Sequence, residues 1–232
     1  MDELALMARP APTPSRPLLG QTVLLVEDSR FASEAVRLLA LRSGARIRRA
    51  DCVASADRHL NTYRAGIAIV DLGLPDGDGL ELIGRLAAAG QRPDVILATS
   101  GRAREEVEAD ALAAGADAFL PKPIESLASF QALVLQHLPE AMRPVGLRVV
   151  GNEVVEPDRL ALREDLDHAA RLISDPDVAP GFVADFLRGV AQTGHDAALL
   201  AETEGLRGRA GDEARSHLAA LLSRRLKARA AM

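Results

Sequence analysis

From Thr22 onward the chain alternates two rhythms. Short apolar runs occur at TVLLV (22–26), ARIRRA (45–50), IAIV (67–70), VILAT (95–99) and AFLP (118–121). Between them, apolar residues recur every three or four positions near 31–43, 53–63, 79–89, 104–114 and 126–138. The short runs read as strands and the longer spacing as helices. Five strands alternating with five helices predict an α/β domain whose parallel sheet is covered on both faces. Right-handed crossovers make it doubly wound, with strand order 2-1-3-4-5. After residue 159 the strand rhythm stops, and helical spacing continues over about 160–174, 181–192, 195–206 and 211–229. Leu160, Leu166 and Ile173 form one apolar stripe, Phe182, Phe186 and Val190 a second, and Leu218, Leu221, Leu222 and Leu226 a third. Gly181, Gly194 and Gly211 fall near the breaks. This C-terminal all-α region reads as a small bundle, or as helices that pack only against a partner.

The expected organisation is therefore a Pro-rich flexible leader over 1–20, an α/β domain over 21–139, a linker over 140–159 and a helical domain over 160–232. Parallel α/β sheets work in the crevice at the carboxyl ends of their strands. The residues there are chemically pointed. Glu27 and Asp28 follow the first strand, and Asp71 follows the third. Thr99, Ser100 and Gly101 follow the fourth; Lys122 follows the fifth, between Pro121 and Pro123.

Three carboxylates brought together repel one another. A hard divalent cation relieves that repulsion, and Mg²⁺ takes oxygen ligands while keeping sites for water and phosphate. Glu27, Asp28, Asp71 and a backbone carbonyl after Asp71 make a candidate Mg²⁺ site, with the Lys122 ammonium opposite and the Ser100 hydroxyl as a donor to a phosphoryl oxygen. The set suits phosphoryl transfer onto a carboxylate, with Asp71 on the middle strand as nucleophile. Gly73, Gly77 and Gly79 let the following loop turn and leave room above the carboxylate.

The motifs VLLVEDS, IVDLGLPDGDGLELI, ILATSG and AAGADAFLPKP stand in the order and spacing of a two-component response-regulator receiver domain. The resemblance covers about residues 21–139 and implies a flavodoxin-like receiver fold. It implies Asp71 as phosphoacceptor, and Asp28 and Glu27 as acidic Mg²⁺ residues. The Gly73 carbonyl would be a further ligand, Ser100 the switch hydroxyl, and Lys122 the phosphate-binding lysine, joined to Pro123 by a cis peptide. Phe119 would be the aromatic that swings inward on activation. A sensor histidine kinase or histidine phosphotransfer protein would be the phosphodonor, and the face of the fourth helix, fifth strand and fifth helix a homodimer surface. Glu27 departs from the aspartate often found first in the acid pair, and Gly73 from a site that is often polar. Such a chain is no enzyme beyond its own phosphorylation and dephosphorylation.

Rival readings of single motifs fail. A calcium loop counted from Asp71 needs oxygen-bearing side chains where Gly73 and Pro75 stand. A dinucleotide site needs a Gly-rich turn after the first strand, where EDSRF stands. The single cysteine, Cys52, forms no intrachain disulfide, which points to a reducing cytosol. Residues 1–20 show no signal peptide, and no apolar run reaches the ~18 residues of a membrane span; cytoplasmic localisation is expected.

The helical end is harder to read. From Pro144 it carries 12 Lys and Arg against 14 Asp and Glu, a net of −2, with four cations crowded into RRLKARAAM. A net charge of −5 for the whole chain and the lack of a helix-turn-helix pattern argue against nucleic acid. The stretch around His217 loosely resembles a histidine phosphotransfer domain, but Ala220 and Leu221 stand where that family has Lys and Gly. The primary reading is a response regulator that signals through protein contacts to an unidentified output partner. The alternatives are a transcriptional regulator with an atypical helical DNA-binding end and a phosphorelay intermediate with a degenerate phosphotransfer-like tail using His217. An enzymatic output ranks last.

Overall fold

The computed structural model describes residues 10–146, 151, 153–206 and 211–230, with side chains as far as Lys227. Five parallel strands form one sheet: β1 (Thr22–Val26), β2 (Arg46–Ala50), β3 (Ile67–Asp71), β4 (Val95–Ser100) and β5 (Ala118–Pro121). Their order is β2-β1-β3-β4-β5, all pairs parallel. The connecting helices are α1 (Arg30–Arg42), α2 (Val53–Leu60), α3 (Gly79–Ala88), α4 (Arg104–Ala114) and α5 (Leu127–His137). This is the expected doubly wound α/β fold.

Burial explains the strand composition. β3 and β4 are buried at every position, as strands covered on both faces must be. β2 lies at an edge, and its exposed Arg46, Arg48 and Arg49 leave that edge charged. Leu25, Ile69 and Leu97 pack on one face against Val36 and Leu39 of α1 and Phe130 and Val134 of α5. Leu24, Val70 and Ile96 pack on the other against Leu82 and Ile83 of α3 and Val107 of α4.

Four further helices follow: α6 (Arg159–Ser174), α7 (Pro180–Thr193), α8 (Ala197–Glu204) and α9 (Asp212–Ala230). They enclose a core of their own, including Leu166, Ile173, Val183, Leu187, Leu199, Leu218 and Leu221. Leu160 does not join it and is 60% exposed; as the second residue of α6 it lies beyond the end of the packed stripe. Arg215 closes the opposite end of α6, donating to the carbonyls of Ile173, Asp175, Pro176 and Val178 at 2.7, 2.7, 3.2 and 2.7 Å.

Two connecting segments are more structured than their composition suggests. Residues 1–9 of the Pro-rich leader lie outside the described residues, but its end is not free. Leu18 is fully buried, and its N–H donates to the Ser43 carbonyl at 2.8 Å. In the linker, residues 147–150 and 152 lie outside the described residues. Val155 is buried in the core between α1 and α5, and its N–H donates to the Glu125 carbonyl at 3.0 Å.

Candidate functional site

Parallel register sets the site. Val26 pairs with Val70, so Glu27 and Asp28 emerge beside Asp71, the last residue of β3. Asp71 pairs with Thr99, and Ser100 with Pro121, which brings Ser100 and Lys122 to the same edge. All five expected polar residues meet there. Lys122 Nζ lies 2.7 Å from Glu27 Oε2 and 2.8 Å from Asp71 Oδ2, with each of the three side chains under one-tenth exposed. Glu27, Asp28 and Asp71 each offer a carboxylate oxygen within 4.8 Å of the others. The Arg49 guanidinium donates to the Asp28 carbonyl at 3.0 Å and steadies that turn.

One ammonium cannot neutralise three buried carboxylates. Burial, and then the charge of Asp71, push the Glu27 carboxyl well above the usual carboxylate range. The same two causes raise Asp28 to about 7. Burial favours a neutral Lys122, but Asp71 and Glu27 outweigh it and hold the ammonium charged. Asp28 Oδ2 is buried with no hydrogen-bond partner. Surplus negative charge, an orphaned oxygen and an all-oxygen donor set fit a hard divalent cation such as Mg²⁺. Glu27, Asp28 and Asp71 would hold it. The Gly73 carbonyl belongs to an exposed residue of the adjoining loop.

That loop turns through a two-residue ladder, Gly73–Leu74 against Gly77–Asp78. Gly79 is the glycine it requires: a Cβ there would fall 2.2 Å from the Asp71 carbonyl oxygen and 2.7 Å from Leu72 Cα. A Cβ on Gly73 would meet nothing within 4 Å, so the turn does not demand that glycine. Asp76 has a role not read from the sequence. Its carboxylate accepts from the Val53 and Ala54 N–H groups at 2.7 and 2.9 Å and caps α2 across the loop.

Ser100 is 5% exposed, and its Oγ accepts from the Arg102 N–H at 3.1 Å. Thr99, its neighbour, is fully buried behind the sheet edge. The Lys122–Pro123 peptide is cis, as expected. Phe119 already lies inward at 1% exposure, in the core with Val70, Ile96 and Val107. The inward swing expected of it is therefore not left to make from this conformation. His217 is exposed on α9, outside the pocket that gathers the other residues.

The helical region adds residues that no motif announced. Asp165 of α6 is 1% exposed and accepts from Ser29 Oγ at 2.6 Å, the Arg30 N–H at 2.8 Å and the Phe31 N–H at 3.0 Å. It thus caps α1 from another part of the chain, directly after the Glu27-Asp28 pair. Phe182, Asp185, Phe186 and Gly189 of α7 line the same pocket of about 160 Å³ as Asp71, Ser100 and Lys122. A lone acid or glycine in a helical pattern carries no signal that it will face another domain.

The likeness to known proteins lies in the α/β domain. The sequence profile of the response regulator receiver domain matches residues 23–133. The chain is 36% identical over 115 residues to the virulence transcriptional regulatory protein PhoP of Salmonella typhimurium strain LT2, covering 48% of this chain and 51% of that protein. It is 33% identical over 128 residues to the transcriptional regulatory protein PhoP of Escherichia coli strain K12, covering 54% and 57%. The chain thus spans about half the length of the curated relatives it matches. A solved response regulator from Chloroflexus aurantiacus superposes with a TM-score of 0.47 at 25% identity, covering 50% of this chain and 95% of that one. Among the described residues no helix is long and apolar enough to cross a membrane. With the sheet order, the pocket and the matched profile in agreement, residues 23–133 belong to the receiver domain family of two-component response regulators.

Proposed function

We propose that Asp71 accepts a phosphoryl group from a phosphohistidine on a partner kinase or phosphotransfer protein, and that the helical region carries the resulting signal. The observation that supports it most is the contact of Asp71 Oδ2 with the buried Lys122 ammonium inside the acidic cluster. A carboxylate oxygen of Asp71 attacks phosphorus. The new P–O bond forms as the P–N bond breaks, and the ring nitrogen keeps the bonding pair and leaves as neutral imidazole, its other nitrogen already protonated. Lys122 stays charged and faces the transferring group, and the Ser100 hydroxyl donates to one of its oxygens. Mg²⁺, when bound by Glu27, Asp28 and Asp71, supplies charge neutralisation for the phosphoryl oxygens.

The helical end argues against a DNA-binding output. Arg224 and Arg225 of its basic run pair with Glu202 and Asp196, and Arg188 is buried. Arg188 and Arg225 are committed within the bundle rather than presented to phosphates, while Arg224 keeps 61% of its side chain exposed. Labelled phosphate from a small acyl phosphate, followed by peptide mapping, tests the assignment. Label on the peptide holding Asp71 is expected; label confined to any other peptide rejects it.

A further inference from the structure

We propose that α6 and α7 form a gate that a protein phosphodonor must displace before it reaches Asp71. This rests on the phosphoacceptor reading and adds its regulation. α7 lies across the pocket mouth. Gly189 packs backbone to backbone on Gly101, the residue after Ser100, so that a Cβ on Gly101 would fall 2.9 Å from both Gly189 N and Cα. A Cβ on Gly189 would stand 3.6 Å from Lys122 Nζ. α7 also contacts Gly73–Leu74 on the other side of the mouth. At its C-terminal end Gly194 packs on Phe31 of α1, a Cβ there falling 3.3 Å from the ring. Glycine is costly inside a helix, and at position 189 it permits the close approach.

The gate is latched as well as seated. The Asp165 carboxylate takes three hydrogen bonds at the start of α1. Arg30 pairs with Glu164, and Glu125 with His195, at the margins. With these contacts made, Asp71 is 6% exposed. The remaining space of about 160 Å³ has room for a hydrated ion or a small phosphate ester. It has none for an imidazole carried on a protein surface, because α7 occupies the volume that surface must enter. Docking of the gate and docking of a protein donor therefore compete, and by linkage each weakens the other by the same factor. The rate seen by a protein donor is scaled down by the fraction of molecules with the gate open, while a small donor is far less affected.

The test uses the full chain, one small acyl phosphate and one phosphorylated histidine-phosphotransfer domain. Asp165→Ala removes the latch but leaves Ser29 to cap Ala32. It is expected to raise transfer from the protein donor by on the order of tenfold, with little change for the small donor. Gly194→Leu, which adds bulk against the Phe31 ring of α1 outside the pocket, is expected to act in the same direction and replaces Asp165→Ala should that variant fail to fold. An unchanged protein-donor rate, or an equal rise for both donors, overturns the gate. Hydrogen exchange on the unmodified chain gives an independent reading: amides of α7 should lose protection when the donor domain is added, and unchanged protection in the donor-bound chain also overturns it. If neither donor labels Asp71 in any variant, the phosphoacceptor reading fails, and the exchange measurement still decides whether α7 is displaced.

Discussion

Lys122 Nζ stands 2.8 Å from Asp71 Oδ2, and the two side chains are 3% and 9% exposed. The lysine is shared with Glu27, so it holds together a pocket whose acids would otherwise repel. Lys122→Met leaves Glu27, Asp28 and Asp71 without their cation. Removing one partner of a buried pair costs about 3–5 kcal/mol. Asp71→Asn removes one of three acids and leaves Glu27 on the lysine, so its cost should be about 1 kcal/mol or less. Urea denaturation of the two variants checks the asymmetry, and equal losses would contradict it.

Stability should depend on pH in a direction opposite to that of an ordinary salt-bridged aspartate. Asp28 is raised from 3.8 to about 7, and Glu27 is raised as well. Between those values the folded chain binds more protons than the unfolded chain, so metal-free stability falls as pH rises from about 4 to 7. Denaturation midpoints in chelator should be lower at pH 8 than at pH 5, and Asp28→Asn should flatten the slope. Mg²⁺ binds deprotonated carboxylates, so it should stabilise the chain more at pH 8 than at pH 5. A flat metal-free profile would count against the crowded-acid account.

The two loop glycines should behave differently. In Gly79→Ala the new methyl meets the Asp71 carbonyl oxygen at 2.2 Å, and the backbone carrying Asp71 must move. The expected loss is about 2 kcal/mol, with weakened Mg²⁺ affinity. Gly73→Ala enters open space and should stay within about 0.5 kcal/mol of the parent. Thermal melts and a Mg²⁺ titration of both variants give the comparison.

Arg215→Lys tests the bundle end. The guanidinium serves four carbonyls at the end of α6 and in the turn before α7. An ammonium on a flexible stem cannot span them. A loss of about 2 kcal/mol is expected, read as a lower melting temperature of the full chain; an unchanged melt would show that the bonds contribute nothing net.

Most of the pocket was legible in the sequence for a physical reason. Parallel strands in register bring their carboxyl ends to one edge, so Glu27, Asp28, Asp71, Ser100 and Lys122 could be placed together from strand rhythm and motif spacing alone. The resemblance named their roles but not the conformation of Phe119, whose inward ring depends on packing with Val70 and Ile96. Asp165 and Gly189 were invisible because their partners lie 136 and 88 residues away, at Ser29 and Gly101. An acid on the polar stripe of an amphipathic helix looks solvated until a tertiary partner is known. Leu160 fits the apolar period of α6 yet lies beyond the helices that could cover it.

Intact-mass measurement of the chain after incubation with a small acyl phosphate, with Mg²⁺ and with chelator, tests the central claim most directly. One phosphoryl group is expected on the parent chain with Mg²⁺, little with chelator, and none on Asp71→Asn. Equal labelling of the parent and Asp71→Asn, or labelling indifferent to Mg²⁺, would contradict the account.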